Sequence, residues 1–162
     1  MSKEKIITIS LIIIFSAAII FIGSRVVVSA MESNWQSISS ANNDALNQQY
    51  AQEIESQTNV NSLMDMGYKL LNGNQVEAAI LNFQRVTVLE KSYRDGWLYL
   101  GIAELKNNQP DVALPNLQTA EKLDPINIQT YEYLIIAYEQ TGDKEAAQKA
   151  LEKYNYLTNN NK

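Results

Sequence analysis

The side chains that most often carry out catalysis at neutral pH are missing from this chain of 162 residues. It contains neither histidine nor cysteine, so it lacks the usual general base, the thiolate nucleophile and the strongest zinc ligands. Carboxylates remain, and Asp65 and Asp95 are two that could meet on one face, but surface acids are ordinarily solvated charges. Gly73 and Gly142 are isolated glycines, so the sequence offers no glycine-rich loop for phosphate. We therefore expect no enzyme, no cofactor and no metal site.

Tyrosine is the residue type here that best suits recognition. The chain has nine tyrosines, and each offers a large rigid contact area together with a hydroxyl group, which is why tyrosine recurs at interfaces. The net charge is −5, and no cluster of lysine or arginine is present to neutralise phosphates. Nucleic-acid binding is therefore not expected.

The elements that position these side chains repeat with a fixed period. Ala79, Ala113 and Ala147 stand 34 residues apart. The same spacing relates three further sets: Leu63, Trp97 and Tyr131; Met66, Leu100 and Leu134; and Phe83, Leu117 and Leu151. Each copy contains two apolar stripes of helical spacing separated by a turn. The period predicts helix–turn–helix pairs stacked into an all-α solenoid over 60–161, with repeats at 60–93, 94–127 and 128–161.

Residues in the turns support these boundaries. Gly73 and Gly142 suit the left-handed end of a helix. Asn74 and Asp143 can cap the helix that follows, and Pro110 suits a first turn.

The middle copy carries a spaced set of residues that identifies its type: Trp97, Leu100, Gly101, Ala113, Leu117, Ala120 and Pro125. This set resembles the tetratricopeptide repeat, whose pattern is W-x2-L-G-x2-Y, then A-x3-F, then a late proline. The resemblance implies a short right-handed α-solenoid that binds other proteins. Some positions depart from the pattern, and two of them carry expectations. Ile135 replaces a small residue, which predicts a splayed third pair, and Glu104 stands where Leu70 and Tyr138 stand, which predicts a place at the rim.

The resemblance also implies where a partner would bind, because the first helix of each pair lines the concave face in this family. The candidate partner-binding groove comprises Asp65, Tyr68, Asn72, Tyr99, Ile102, Lys106, Tyr133, Ile136 and Gln140. Lys106 is the cation of this set, and Asp65, Asp95 and Glu132 lie beside it. We therefore expect a neutral or basic peptide rather than one held by its terminal carboxylate.

The last predicted helix, over 143–158, lacks the polar solvating helix that usually follows in this family. It is expected to expose a candidate C-terminal docking face formed by Leu151, Tyr154 and Leu157. This face either tolerates water or docks a partner or a second subunit, which makes a homo-oligomer one of the open alternatives.

The segment from Ile6 to Ile22 contains 17 residues without a charge. With Gly23 and Ser24 it spans about 28 Å as a helix, close to the hydrocarbon thickness of a bilayer. We predict a transmembrane helix at 6–24 in contact with lipid, preceded by a cytoplasmic tail at 1–5 that contains Lys3 and Lys5. The alternative is a signal peptide cleaved after Ala30, which would give a secreted protein.

A polar linker at 31–59 joins the two parts. It is rich in serine, asparagine and glutamine, a composition that buries little apolar surface. Within it, Leu46, Tyr50 and Ile54 recur every four residues after Asp44, which predicts a short amphipathic helix at 44–57. That helix could pack on the first repeat as a cap or pair with another chain.

These elements together predict a membrane-anchored adaptor that recruits a protein or peptide partner through its repeats. We expect a single-pass protein of a prokaryotic inner or plasma membrane, with the repeats on the extracytoplasmic side. The alternative is a structural subunit of an oligomeric membrane or envelope complex.

Overall fold

The computed structural model of the protein describes residues 44–160, and these residues form α-helices without any β-strand. The predicted tail 1–5, transmembrane helix 6–24 and first part of the linker lie outside the described residues and remain predictions. Between 44 and 160, no helix has both the length and the hydropathy that a bilayer crossing requires. The described residues from 47 onward belong to one compact unit, which contains the repeats.

Seven helices follow one another in the described residues. Helix α1 covers 44–56, where the sequence predicts a short amphipathic helix. The other six are α2 (Val60–Asn72), α3 (Val76–Leu89), α4 (Arg94–Lys106), α5 (Pro110–Leu123), α6 (Ile128–Thr141) and α7 (Lys144–Asn160). The first helices of the three pairs begin 34 residues apart, and so do the second helices.

Contacts follow the order of the helices along the chain, since each helix from α2 to α6 packs on the next one and α4 also contacts α6. This nearest-neighbour packing is that of an all-α solenoid.

The helix ends follow local rules of capping. The side chain of Asn59 accepts a hydrogen bond of 3.0 Å from Ser62 N at the start of α2, and that of Asn127 accepts one of 2.9 Å from Thr130 N at the start of α6. Asp143 does the same for Ala146 N before α7, at 3.0 Å. Each cap satisfies a backbone N–H that the helix leaves unpaired.

The turn inside each pair contains one residue in the left-handed conformation. These residues are Asn74, Asn108 and Gly142, with φ of 60°, 58° and 82°. The prediction for Gly73 was therefore wrong, because Gly73 has a φ of −79° and Asn74 takes the left-handed position instead. Asparagine tolerates this conformation better than most residues do, so it serves here in place of glycine.

Two glycines allow the helices of the first and second pairs to approach closely. A Cβ added to Gly67 would lie 2.5 Å from the Phe83 ring, and one added to Gly101 would lie 2.6 Å from Leu117. In the third pair Ile135 occupies this position, and α6 and α7 leave a crevice of about 390 Å³ beside it. Helices α6 and α7 nevertheless pack on each other as the helices of the earlier pairs do, so the splay predicted from Ile135 is not seen.

Helix α1 packs against the first pair. Ile54 is 4% exposed and belongs to the same core cluster as Leu63 and Phe83, with Tyr50 packed against it. Arg85 of α3 donates a hydrogen bond of 3.2 Å from Nη2 to the backbone oxygen of Glu55, near the end of α1. Helix α1 therefore covers apolar surface of the first pair.

Candidate protein-binding groove

Three tyrosines, one from each first helix, form the centre of the candidate groove. Tyr68 of α2 and Tyr99 of α4 meet edge to face, with ring centroids 4.6 Å apart and an interplanar angle of 76°. Tyr133 of α6 lies close to Tyr99, which is one of the groups that raise its pKa, after burial and Glu132. All three are half-buried, and we call Tyr68, Tyr99 and Tyr133 the tyrosine floor.

Burial favours the protonated hydroxyl groups of Tyr68 and Tyr133, because it raises the pKa of both. Burial is the main cause that raises the pKa of Tyr68, and Tyr99 and Asp95 add to it. Burial also raises the pKa of Tyr133, followed by the nearby carboxylate of Glu132. Protonated phenols can both donate and accept hydrogen bonds. The floor thus offers a partner apolar ring surface together with polar hydroxyls.

The floor is also part of the packing between repeats. Tyr99 and Ile102 are half-buried and contact both core clusters, the one centred on the first pair and the one centred on the second and third. The ring of Phe83, fully buried in α3, lies 5.8 Å from that of Tyr99. The predicted groove residue Ile136 is also half-buried. Tyr99 and Ile102, both predicted for the groove, therefore also pack between the repeats.

The polar residues predicted for the groove are solvent-exposed, unlike its half-buried tyrosines. Asp65, Asn72, Lys106 and Gln140 are all exposed. The ammonium group of Lys106 donates a hydrogen bond of 2.7 Å to the backbone oxygen of Leu71 in the last turn of α2. A cation at a helix C-terminus also interacts favourably with the helix dipole. Lys106 therefore connects α4 to the end of α2, a contact within the fold that the sequence did not predict.

The acidic residues of the groove differ in their pairing. Asp95 forms a salt bridge with Arg94, which also lies 3.7 Å from Asp124. Asp65 and Glu132 are exposed, and within residues 44–160 neither belongs to a salt bridge. The residues predicted for the groove and those beside it thus include two exposed carboxylates without a salt bridge in the described residues, Asp65 and Glu132.

Comparisons with known proteins bear on this architecture. The mouse PEX5-related protein is 27% identical over 103 residues, which are 59% of this chain and 18% of that protein. The human PEX5-related protein is also 27% identical over 103 residues, which are 59% of this chain and 16% of its own length. This chain thus spans less than a fifth of the curated relatives that it matches. No family model matches the chain.

Solved structures of other proteins are similar to this chain in fold. MamA superimposes with a TM-score of 0.62 at 21% identity, over 75% of this chain and 72% of MamA. SycD, the type III secretion chaperone of Yersinia enterocolitica, was solved in complex with a peptide of the translocator YopD. It superimposes with a TM-score of 0.60 at 20% identity, over 63% of this chain and 78% of SycD. Both are proteins of the tetratricopeptide type.

The fold is a tetratricopeptide-repeat solenoid.

Two of the three residues predicted for the C-terminal docking face of this solenoid are not freely exposed. Leu157 is 7% exposed and belongs to the second core cluster, and Tyr154 packs against that cluster. Leu151 is 38% exposed, as predicted. The helix continues to Asn160, and Leu157 turns toward the core two turns after Ala150, which is also buried. The predicted face therefore reduces to Leu151 and its surroundings.

Glu104 and Asn116 form a polar pair between α4 and α5 that was not predicted from the sequence. Glu104, predicted at the rim, is 2% exposed, and its Oε2 accepts a hydrogen bond of 2.6 Å from Nδ2 of Asn116. Burial raises the pKa of Glu104 to about 7, while the hydrogen bond from Asn116 acts in the opposite direction. The prediction was wrong because the tetratricopeptide position of Glu104 faces α5, where the polar side chain of Asn116 accommodates an acid.

Proposed function

We propose that the protein is a membrane-anchored adaptor whose concave groove binds a segment of another protein. The observation that carries this proposal is the tyrosine floor, which spans the first helices of all three repeats. Its side chains are already ordered by packing, so a partner would meet little cost of ordering on binding. The complex of SycD with a YopD peptide is a precedent for peptide binding by a solenoid of this shape.

The charge of the groove specifies the partner further. Asp65 and Glu132 leave negative charge at the margin, while Lys106 is bound to the carbonyl of Leu71. A peptide carboxylate would meet repulsion here, whereas lysine and arginine would be attracted by the acids and by the faces of the tyrosine rings. The preferred partner is a neutral or basic segment with an apolar or aromatic anchor.

The membrane anchor of the proposed adaptor is the apolar segment at 6–24. A retained transmembrane helix would confine the groove to a membrane surface and raise its effective concentration toward a membrane-bound partner. In that arrangement the repeats lie on the extracytoplasmic side of a prokaryotic inner or plasma membrane. Resistance of the full chain to carbonate extraction tests retention, and release into the soluble fraction contradicts it.

The groove is tested by cross-linking and pull-down of the full chain from native membranes. Replacing Glu132 with Lys reverses a charge without removing packing, and replacing Tyr133 with Ala removes part of the floor. Both variants are expected to lose the captured partner while circular dichroism retains the helical signal. Replacing Tyr156, which is 62% exposed on α7, with Ala is the matched control and should change nothing. Unchanged capture by both groove variants would place the binding site elsewhere.

A further inference from the structure

Helix α2 ends in an asparagine that is followed by a glycine. Asn72 is the last residue of α2, its side chain is exposed, and Gly73 comes next. In such a pair the backbone nitrogen of the glycine can attack the side-chain carbonyl of the asparagine, because glycine has no Cβ to hinder the approach and its backbone rotates freely. The sequence contains this Asn-Gly pair once. Asn72 is therefore a candidate site of deamidation.

The reaction of Asn72 requires water as its co-reactant. The nitrogen of Gly73 forms a bond to Cγ of Asn72, and Nδ2 leaves as ammonia with the proton that the Gly73 nitrogen gives up. Water then opens the five-membered succinimide at one of its two carbonyl carbons. The product is either an aspartate or an isoaspartate, in which the backbone runs through Cγ. Both products carry a carboxylate in place of the neutral amide, and no group is oxidised or reduced.

The folded chain holds the reacting atoms away from this geometry. The backbone nitrogen of Gly73 donates a hydrogen bond of 2.9 Å to the oxygen of Lys69. Leu71, one residue before Asn72, has a backbone oxygen that accepts the 2.7 Å hydrogen bond from Nζ of Lys106 in α4. Attack requires the helical backbone of Asn72 to rotate and Gly73 to leave Lys69. The last turn of α2 therefore has to open before the reaction can occur.

We propose that Asn72 is a deamidation site and that the hydrogen bond from Lys106 to the oxygen of Leu71 controls its rate. A site that reacts from a locally opened state does so in proportion to the population of that state. Lys106 ties the last turn of α2 to α4, so it makes opening rarer and slows the reaction by the same factor. Loss of this charged hydrogen bond should raise the rate about fivefold.

The product changes the charge of the predicted groove, and this step rests on the proposed function. Asn72 is one of the predicted groove residues, and its new carboxylate adds to the exposed acids Asp65 and Glu132. An additional negative charge attracts lysine and arginine more strongly. Deamidation of Asn72 thus strengthens the preference of the groove for a basic segment.

Peptide mass spectrometry of the full chain measures the reaction. The protein is incubated at mildly alkaline pH and digested at acidic pH, so that no conversion occurs during preparation. Asn107 lies in the matching turn after α4, where its nitrogen donates to Ala103 as that of Gly73 donates to Lys69. Because Asn107 precedes Asn108 rather than a glycine, Asn72 should convert about tenfold faster than Asn107. Equal rates at the two asparagines would overturn the assignment of Asn72.

Two variants test the control by Lys106. Lys106→Met removes the ammonium group but keeps an aliphatic side chain, and it should speed conversion of Asn72 about fivefold. Lys69→Met removes an exposed lysine of the same turn and should leave the rate unchanged. An unchanged rate in Lys106→Met, or equal acceleration in both variants, would contradict control by the Lys106 hydrogen bond. Equal acceleration of Asn155 in α7 would show general loosening of the fold and would contradict it as well.

Pull-down from native membranes tests the effect on the groove. Asn72→Asp reproduces the charge of the product, and Asn72→Gln stays neutral. The Asn72→Asp chain should capture about threefold more of a basic partner than the Asn72→Gln chain. Equal capture would overturn the effect on the groove, whereas the absence of any captured partner would contradict the proposed function. In both cases the rates from mass spectrometry decide whether Asn72 is the reacting site.

Discussion

The amide of Asn116 donates a hydrogen bond of 2.6 Å to the carboxylate of Glu104, and Glu104 is almost completely buried between helices α4 and α5. One repeat earlier, Asn82 stands at the position of Asn116, and Leu70 stands at that of Glu104. Asn82 is 0% exposed, and neither of its side-chain polar atoms has a hydrogen-bond partner. The same repeat position thus holds a paired amide in one repeat and an unpaired amide in the other.

Glu104 should make the stability of the domain depend on pH. Its pKa is raised from 4.5 to about 7 in the folded state, so the folded state binds the proton more tightly than the unfolded state does. Stability is therefore highest at low pH with respect to this group, and it falls as pH rises between these two values. Glu104→Gln keeps an acceptor for Asn116 and removes the charge. It should be more stable than the original chain at pH 8 by about 1–3 kcal/mol and nearly equal to it at pH 5.

Urea unfolding followed by circular dichroism at the two pH values measures this difference. Glu132→Gln removes an exposed carboxylate and serves as the control, with little change at either pH. An equal effect of Glu104→Gln at pH 5 and pH 8 would show that the carboxyl of Glu104 does not titrate in this range.

The two asparagines should respond oppositely to the same substitution. Asn116→Ala leaves the buried Glu104 without its partner and should cost about 1–3 kcal/mol of unfolding free energy. Asn82→Ala removes two unpaired polar atoms and should be neutral or stabilising by up to about 1 kcal/mol. The third repeat already has an alanine, Ala150, at this position. Chemical denaturation of both variants at pH 7 gives the comparison. A cost for Asn82→Ala as large as that for Asn116→Ala would mean that Asn82 has a partner.

Gly67 should resist a substitution that normally favours helices. Replacing glycine with alanine inside an exposed helix gains up to about 1 kcal/mol. At Gly67 the added Cβ would lie 2.5 Å from the ring of Phe83, so Gly67→Ala should instead destabilise the domain by about 1–3 kcal/mol. Thermal unfolding measures the sign, and Ser62→Ala at an exposed site of the same helix is the control. A stabilised Gly67→Ala variant would show that α2 and α3 can separate at little cost.

Helix α1 should be required for the stability of the first pair. Ile54→Asp places a charge in the core cluster that contains Leu63 and Phe83, and it should cost about 2–5 kcal/mol. Gln52→Asp changes an exposed residue of the same helix and should have little effect. Hydrogen exchange can locate the change, because protection is expected to fall first in α2 and α3. Similar protection in both variants would mean that α1 is not needed as a cover.

The 34-residue period predicted the helix pairs because packing between successive pairs imposes the same requirement on each copy. It predicted less well the exposure and contacts of Glu104, Lys106 and Leu157, since their surroundings depend on residues far away in the sequence. Glu104 depends on Asn116, Lys106 on the carbonyl of Leu71, and Leu157 on its packing in the second core cluster. A repeat pattern describes what the copies share, whereas these three residues are determined by what differs between them.

Tyr99 and Ile102 contact both core clusters and also belong to the predicted groove. A bound partner would therefore restrain atoms that couple the two halves of the solenoid, so occupancy should protect both halves from unfolding together. This double role of Tyr99 and Ile102 also limits which residues can change to bind a new partner. Substitutions in the floor would weaken the joint between repeats, which leaves the exposed margin, with Asp65, Asn72 and Gln140, as the part of the groove free to diverge.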